Sequence, residues 1–339
     1  MDRICIVMMS AVGDAVHVLP VINALKRDAP GRIITWVLQP GPASLVAGHP
    51  SIDDIVIFHR DRGLRAYRDV TRELRSRRFD LLIDLQVYLK AGLVTALSGA
   101  PVRLGFDRRR ARDANFLFAN RHIPAHPFQH VQDQYLEFLD YLRVPAKPLE
   151  WGLGPWDHER KWQRDFVASV GSQYAAIVVG SSKPEKDWIP ERWAQVCDIL
   201  QEQHGLRAVL VGADSHRERD SAARITAAAK HAPIDALGSG LRRLVSILDS
   251  SSVVIAPDTG PLHISVALGR PVISLIGYTD PRRTGPYHRF EDLVIDAYHD
   301  SGEKAPITMK ARSGRMERIQ VTDVANRLAR WSEVYRAKV

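Results

Sequence analysis

The sequence predicts an α/β protein in two similar halves, each built on a parallel sheet with helices on both faces. Short apolar runs alternate with helix-like segments along most of the 339 residues, as a parallel sheet requires. The alternation pauses at a cluster of Pro and Gly and then begins again. Each half opens on a buried run, at residues 3–9 and 174–179. We therefore predict domains at residues 1–150 and 151–320, with a terminal segment at 321–339.

The elements of the first half are bounded by turn residues. Pro30 and Gly31 end the first helix, because neither residue continues a helix well. A longer helix precedes the linker cluster, which runs from Pro145 to Pro155. Strands are predicted at residues 3–9, 32–38, 55–58, 79–85 and 102–105, and helices at 15–27, 44–48, 64–78, 91–98 and 131–142.

The second half repeats the alternation after the linker. β-Branched and apolar residues dominate its strands, and Gly269 ends a short helix before the next strand. Strands are predicted at residues 174–179, 207–212, 252–256 and 271–276, and helices at 190–204, 218–230, 241–248, 262–268 and 321–336.

Composition excludes several classes of protein. Cys5 and Cys197, the two cysteines, lie in apolar stretches, which argues against a disulfide framework or a structural zinc site. No apolar run approaches the roughly 20 residues that span a bilayer, and no export signal is evident, so we expect a cytoplasmic protein. A dinucleotide fingerprint, a P-loop, a nucleophile elbow, a D-x-D pair and metal-ligand spacing of His or Cys are all absent from the sequence.

The turn at residues 256–263 follows an apolar strand and opens a helix. Unpaired N–H groups in the first helical turn, together with the helix dipole, favour an anion at such a turn. Thr259 adds a hydroxyl, and Gly260 allows close approach to the backbone. We interpret this turn as a diphosphate site; the alternative is an ordinary connection in which Asp258 or Thr259 caps the helix.

A second polar loop, at residues 180–188, follows another strand of the same predicted sheet. Its hydroxyls and lysines could neutralise a diphosphate, or could form a polar turn with solvated charges. Trp188 is predicted to be a core residue that packs near Trp193. A third loop places Glu218 near a nucleotide ribose or in the first turn of a helix, and His216 competes with it for the ribose.

The corresponding turn of the first half, at residues 10–17, places Asp14 at a helix start beyond a strand. A carboxylate there could act as a general base or could cap the helix. His17, one turn further on, is a candidate site residue, although histidines in helices are more often structural.

Three motifs in register resemble glycosyltransferase family 9, the ADP-heptose:lipopolysaccharide heptosyltransferases and their relatives. The motifs are residues 10–20, Lys186-Asp187-Trp188 with Trp193, and residues 258–263, and the continuations at 267–272 and 277–281 also fit. The resemblance implies an α/β fold of GT-B architecture, with two Rossmann-like domains whose parallel sheets face a central cleft and a last helix that returns to the first domain. It also implies an inverting, metal-independent transfer of heptose from ADP-heptose to a lipopolysaccharide inner-core acceptor, without a cofactor.

The resemblance also implies residue roles. Asp14 would be the general base, and Lys186 would stabilise the departing diphosphate. The donor-binding candidates are Ser181, Ser182, Lys186, Glu218, Asp258, Thr259, Gly260 and His263, with Asp258 at the donor sugar. The acceptor-side candidates are Gly13, His17, Arg62 and Arg109, and no residue is expected to bind a metal.

The net charge of +8 suits an anionic partner. Arginines concentrate at residues 60–78 and 103–112, where they could attract an acidic glycolipid at the cytoplasmic face of the inner membrane or could form solvated helix faces. Interleaved aromatic residues are missing, which argues against nucleic acid. The open alternatives are another sugar nucleotide or surface-glycan acceptor, a catalytically silent relative, and a basic nucleic-acid-binding protein.

Overall fold

The computed structural model describes residues 1–338 and divides the chain into two compact units. Unit 1 comprises Met1–Gly152, which ends two residues beyond the predicted boundary of 150, and unit 2 begins at Leu153. Val339, the last residue of the predicted 321–339 segment, lies outside the described residues.

Unit 1 is a six-stranded parallel sheet with strand order β3-β2-β1-β4-β5-β6. Its strands are β1 (Arg3–Val7), β2 (Ile33–Leu38), β3 (Asp54–Ile57), β4 (Leu81–Asp84), β5 (Val102–Gly105) and β6 (Arg121–His122). Its helices are α1 (Val12–Asp28), α2 (Pro40–Val46), α3 (Leu64–Arg77), α4 (Leu89–Leu97) and α5 (Val131–Leu142).

Unit 2 is a second six-stranded parallel sheet, with order β12-β11-β10-β7-β8-β9. Its strands are β7 (Tyr174–Val178), β8 (Arg207–Val211), β9 (Ile234–Asp235), β10 (Val253–Pro257), β11 (Val272–Ile276) and β12 (Val294–Asp296). Its helices are α6 (Arg160–Val170), α7 (Pro190–His204), α8 (His216–Ala228), α9 (Leu241–Ser250), α10 (Gly260–Ala267), α11 (Pro281–Thr284) and α12 (Val321–Val334).

The two sheets share one topology. When the strands of each unit are numbered from its own first strand, both sheets have the order 3-2-1-4-5-6. The strand order reverses between β1 and β4 in unit 1 and between β7 and β10 in unit 2. Ligands of open parallel sheets bind beyond the carboxyl ends of the strands at such reversals. The loops after these four strands are therefore the places where a site is expected.

The cores follow from the apolar strands. Every residue of β7, β10 and β11 is buried, as expected for central strands covered on both faces. Trp188 and Trp193 belong to the core of unit 2, with ring centroids 4.7 Å apart, which confirms their predicted packing. Cys5 and Cys197 are free and buried.

The last helix corrects one prediction. We expected α12 to return to the first domain, but Val324, Leu328 and Trp331 are fully buried in the core of unit 2. The helix packs on α7 and β12 of that unit. The three apolar residues recur at the spacing of one helix face, so the pattern indicated a buried face without indicating which unit would cover it.

Candidate functional site

The β1–α1 loop of unit 1 carries Asp14 in the first turn of α1. One carboxylate oxygen, Oδ2, accepts the N–H of Ala11 at 2.9 Å, which caps the helix as the structural alternative predicted. The other, Oδ1, accepts the hydroxyl of Tyr135 at 3.2 Å. The side chain remains half-buried. Each oxygen has two lone pairs, so the capped carboxylate keeps the capacity to accept a proton.

Gln86, which follows the neighbouring strand β4, forms two hydrogen bonds with this loop. Its side-chain amide accepts the N–H of Met9 at 3.2 Å and donates to the carbonyl of Ser10 at 3.0 Å. The Gln86 N–H in turn donates to Asp84 at 3.0 Å. These hydrogen bonds join the β1–α1 loop to the end of β4, where the strand order of unit 1 reverses, just before Asp14.

Asp84 is fully buried at the carboxyl end of β4. Its side chain accepts hydrogen bonds from Thr95 at 3.0 Å and Asn115 at 3.1 Å. Burial raises the pKa of Asp84 to about 7, and these donors, which favour the ionised form, offset only part of that effect. Asp84 thus links α4 and the loop after β5 to the carboxyl end of β4 by hydrogen bonds.

The predicted acceptor-side residue His17 lies inside unit 1. Only 5% of its surface is exposed, and its Nδ1 lies 3.1 Å from Oε1 of Gln132 on α5. Gln132 returns a hydrogen bond to the His17 carbonyl at 2.9 Å, and the ring of His130 stands edge-on at 5.6 Å. His17 therefore joins α1 to α5 in the interior of unit 1. Gly13 is half-buried in the first turn of α1.

The predicted acceptor-side arginines are exposed. Arg62 lies in a turn after β3, 3.8 Å from Asp69, and Arg109 lies in the loop after β5. Arg110, within the same basic segment, is only 2% exposed and pairs with Asp107 at 2.5 Å. The second basic segment is thus partly structural.

The turn of unit 2 that holds Asp258 also engages Lys186. The Lys186 ammonium donates to Asp258 Oδ2 at 2.7 Å and to the Asp258 carbonyl at 3.1 Å. The two side chains are 16% and 6% exposed. The two predicted loops of unit 2 therefore meet, and they meet at a cation beside the first turn of α10.

Asp258 is held as a carboxylate by its neighbours. Burial by itself would raise the pKa of Asp258, but the hydrogen bond from His263 and the charge of Lys186 hold it well below its usual value. Thr279 and Thr284 also donate to Oδ2, the latter at 3.2 Å. The carboxylate consequently stays charged and fixed in place at any physiological pH.

The start of α10 supplies backbone donors. Thr259 is the N-cap residue, with extended backbone, and its hydroxyl donates to the Pro257 carbonyl at 3.3 Å, so it does not cap the helix. Gly260 begins the helix, and an N–H at this position has no intrahelical acceptor. Pro261 fits the next position because its missing N–H costs nothing there.

The loop after β7 is folded by its own hydrogen bonds. The N–H of Ser181 donates to Asp187 at 2.9 Å, and its hydroxyl donates to the same carboxylate at 3.0 Å. Ser182 is exposed. Arg217 of α8 pairs with Asp187 and donates to the Ser181 carbonyl. The loop is therefore braced by α8.

Glu218 lies in the first turn of α8, which is the structural alternative to a ribose contact. Its carboxylate accepts the N–H of Ala213 at 3.0 Å and the hydroxyl of Ser215, while Ser215 caps α8. The side chain is 6% exposed and fills the space beside Gly180, where an added Cβ would lie 2.6 Å from its Cγ. His216 is exposed.

Three residues that contact the candidate site residues or brace their loops were not predicted from the sequence. Tyr135 reaches Asp14 from a helix 121 positions away, and no local pattern signals that contact. Thr279 could have been found, because it follows β11, the parallel neighbour of β10, and carboxyl ends of parallel strands lie at one edge. Arg217 stands among other charged residues at the start of α8, so the sequence did not distinguish it from a solvated surface charge.

Residues 1–338 contain neither a membrane-spanning helix nor a cluster of metal-ligating side chains. No helix in this range is long and apolar enough to cross a membrane. No group of three or more His, Cys, Asp or Glu side chains within it could hold a metal ion.

Comparison with known proteins decides the family. The profile of glycosyltransferase family 9 (heptosyltransferase) matches residues 67–305. The chain belongs to this family. The predicted family and the predicted class of enzyme, a glycosyltransferase, are thereby confirmed.

Relatives of this family 9 glycosyltransferase cover most of its length. It is 30% identical over 303 residues to the lipopolysaccharide core heptosyltransferase OpsX of Haemophilus influenzae, covering 89% of this chain and 86% of the relative. It is 28% identical over 301 residues to lipopolysaccharide heptosyltransferase 1 of Pseudomonas aeruginosa, covering 85% and 82%.

Solved structures confirm the GT-B fold class of the family 9 enzyme. A family 9 glycosyltransferase from Veillonella parvula superposes with a TM-score of 0.82 at 21% identity, covering 97% of this chain and 96% of that chain. The E. coli heptosyltransferase WaaC with ADP gives a TM-score of 0.75 at 23% identity, covering 99% of both chains.

Proposed function

We propose that this enzyme transfers heptose from ADP-heptose to a lipopolysaccharide inner-core acceptor, with inversion at the anomeric carbon and without a metal. The relatives named for lipopolysaccharide core heptose transfer support the acceptor, and two E. coli WaaC structures, one with ADP and one with ADP-2-deoxy-2-fluoro heptose, support the donor. Unit 1 supplies the base, and unit 2 binds the donor.

The pair formed by Lys186 and Asp258 carries the proposal. A buried carboxylate holds an ammonium at 2.7 Å, beside a helix start at which the N–H of Gly260 has no intrahelical acceptor. Oδ2 of Asp258 accepts hydrogen bonds from Lys186, Thr279 and Thr284, so this carboxylate would fix the position of the ammonium. Asp258 also stays the candidate for the contact with the donor sugar. A positive centre placed in this way suits a diphosphate.

The chemistry requires one proton transfer and one bond exchange. The acceptor hydroxyl attacks the anomeric carbon while Asp14 takes its proton. The bond from the anomeric carbon to the diphosphate oxygen breaks, and its electron pair leaves with ADP. Attack on the face opposite the leaving group inverts the anomeric carbon. In this scheme Lys186 and the N–H of Gly260 stabilise the charge that develops on the diphosphate, so no divalent metal is required.

Remaining donor contacts are assigned by position. Ser181 and Ser182 lie in the loop that ends at Lys186 and would bind the diphosphate with Thr259. His263 helps to hold Asp258 charged. A ribose contact by Glu218 would require the carboxylate to exchange its present partners, which leaves the exposed His216 as the competing candidate.

We further propose that the enzyme works in the cytoplasm, at the cytoplasmic face of the inner membrane, because its acceptor is an anionic lipid-linked saccharide. The exposed arginines of unit 1, including Arg62 and Arg109, support this placement by their charge.

Product analysis tests the proposal. Purified enzyme, ADP-heptose and Kdo₂-lipid A or a heptosylated core, with EDTA present, should yield ADP and a heptosylated product with inverted anomeric configuration. A panel of other sugar nucleotides should give weaker thermal stabilisation than ADP-heptose. Transfer from another donor, or activity restored only by a divalent metal, would contradict the corresponding part of the proposal.

A further inference from the structure

One face of α3 carries a row of exposed arginines. Arg65, Arg68, Arg72 and Arg75 are all exposed, and their spacing places them on one side of the helix together with Leu64. The opposite side holds Ala66, Val70 and Leu74 in the core of unit 1. The burial of α3 therefore fixes the direction of the cationic face toward solvent.

The arginines of this face outnumber the carboxylates beside it, although Asp61 and Asp69 line the same pocket as Arg62, Arg65 and Arg68. Asp69 lies 3.8 Å from both Arg62 and Arg68, a separation at which exposed pairs contribute little. Glu73 is engaged with Arg77. Within the described part of the chain, neither Arg65 nor Arg72 forms an ion pair. The face is thus strongly positive.

Exposed apolar side chains lie on the adjoining segments. Leu64 is 86% exposed at the start of α3, Tyr88 and Leu89 are 43% and 42% exposed at the start of α4, and Leu117 is 67% exposed in the turn after β5. Only eight large apolar residues are exposed in residues 1–338, so four of them belong to these segments. Half of these exposed apolar residues therefore lie at the starts of α3 and α4 and in the turn after β5.

Direct contacts join the segments. Arg75 of α3 donates to the carbonyl of Leu97 at the end of α4, at 3.0 Å. Asn115 donates to the carbonyl of Tyr88 at 3.0 Å, which fixes the turn of Leu117 to the start of α4. The helices α3 and α4 both begin at the carboxyl edge of the sheet, because each follows a parallel strand.

We propose that the exposed face of α3, with Tyr88, Leu89 and Leu117, docks on an anionic lipid bilayer. The inference rests on the proposed function, since a lipid-linked acceptor requires the enzyme to reach a membrane surface. Arginines attract the anionic headgroups, and the leucines and Tyr88 enter the boundary between headgroups and acyl chains. Nucleic acid fits less well, because binding to its bases needs several stacking aromatics and this surface offers Tyr88 alone.

Vesicle flotation tests the docking surface without donor, acceptor or catalysis. The probe is an equimolar phosphatidylcholine and phosphatidylglycerol vesicle, compared with pure phosphatidylcholine. The unchanged protein should float with the anionic vesicles and dissociate as salt is added. The variant Arg65→Ala/Arg68→Ala/Arg72→Ala should bind about fivefold more weakly for each charge removed, or about a hundredfold in total.

Two further variants separate the causes. Arg164→Ala/Lys230→Ala/Lys304→Ala removes the same charge from exposed positions of unit 2 and should bind nearly as well as the unchanged protein. Leu64→Ser/Leu117→Ser should weaken binding by a similar factor at every salt concentration at which the unchanged protein still floats, because salt does not screen apolar insertion. Melting curves should show that all variants remain folded.

Equal losses in the two charge variants, failure of the unchanged protein to float, or tighter binding to duplex DNA than to anionic vesicles would each overturn the docking proposal. Because no substrate is present, these outcomes are independent of heptose transfer. A protein that floats as expected but transfers no heptose would instead contradict the proposed function.

Discussion

At the scale of residues, the proposed base depends on a hydroxyl from a distant helix. Tyr135 is 6% exposed and donates to Asp14 Oδ1 at 3.2 Å, which fixes the rotation of the carboxylate about its own axis. A base must be aimed at the hydroxyl that it deprotonates, so the Tyr135 contact should matter for turnover more than for substrate affinity.

Tyr135→Phe removes this donor and keeps the ring. We expect kcat to fall by about tenfold, the value of one hydrogen bond, with KM for both substrates nearly unchanged. Steady-state kinetics with saturating donor would measure the split. Tyr141→Phe, the same change at an exposed position of the same helix, is the control and should leave kcat intact. A rise in KM without a change in kcat would contradict a positioning role for Tyr135.

Lys186, the proposed diphosphate ligand, also offsets the buried negative charge of Asp258. Lys186→Met leaves the carboxylate of Asp258 without its cation, so the free energy of unfolding should fall by about 3 kcal/mol, partly relieved by the threonine donors. ADP should stabilise the variant less in thermal melts. Lys183→Met, which removes a nearby exposed lysine, should change both quantities little. Full ADP stabilisation in Lys186→Met would exclude Lys186 from the diphosphate site.

At the scale of elements, the end of β4 contains a group that responds to pH. The pKa of Asp84 is raised from 3.8 to about 7 by burial, so the folded protein holds this proton over a range in which the unfolded chain has lost it. Stability from Asp84 is therefore complete below about pH 4 and is lost as pH rises through about 7.

Asp84→Asn should remove this pH dependence. Relative to the unchanged protein, the variant should gain in free energy of unfolding as pH rises from about 4 to about 7, by at most about 1.4 kcal/mol per pH unit. Urea unfolding across this range measures the difference. Asp69→Asn on α3 serves as the surface control. Parallel curves for Asp84→Asn and the unchanged protein would show that Asp84 titrates normally.

The sequence predicted the strong elements and missed the weak ones. Apolar runs marked β1, β7 and β10 because central strands are buried on both faces. The helix α6 was not predicted, because only Gln163 and Val170 of its residues are buried and its sequence therefore shows little apolar periodicity. The short strands β6, β9 and β12 have two or three residues each, too few to show a period.

The same physical limit applies to the site. Asp14 and the turn at Asp258 could be predicted because strand, polar turn and helix start follow one another in the sequence. Contacts between elements could not: the capping role of Glu218, the burial of His17 against α5 and the packing of α12 on unit 2 all depend on which elements meet.

At the scale of the whole molecule, one topology is used twice for two tasks. Both units have the strand order 3-2-1-4-5-6 and carry their candidate residues at the reversal of that order. In unit 1 the reversal presents a carboxylate, and in unit 2 it presents an ammonium and a helix start. We infer that the repeated sheet supplies rigid edges, while the loops determine that one unit accepts a proton and the other binds an anion.

The measurement that tests this division of labour most directly compares Asp14→Asn with the unchanged enzyme in two assays. Heptose transfer should fall by about 10²–10⁴-fold, the contribution of a positioned general base. Stabilisation by ADP-heptose in thermal melts should stay the same, because the proposed donor-binding residues lie in unit 2. Asp28→Asn, at the far end of the same helix, should transfer normally. Undiminished transfer by Asp14→Asn would contradict the assignment of Asp14 as the base.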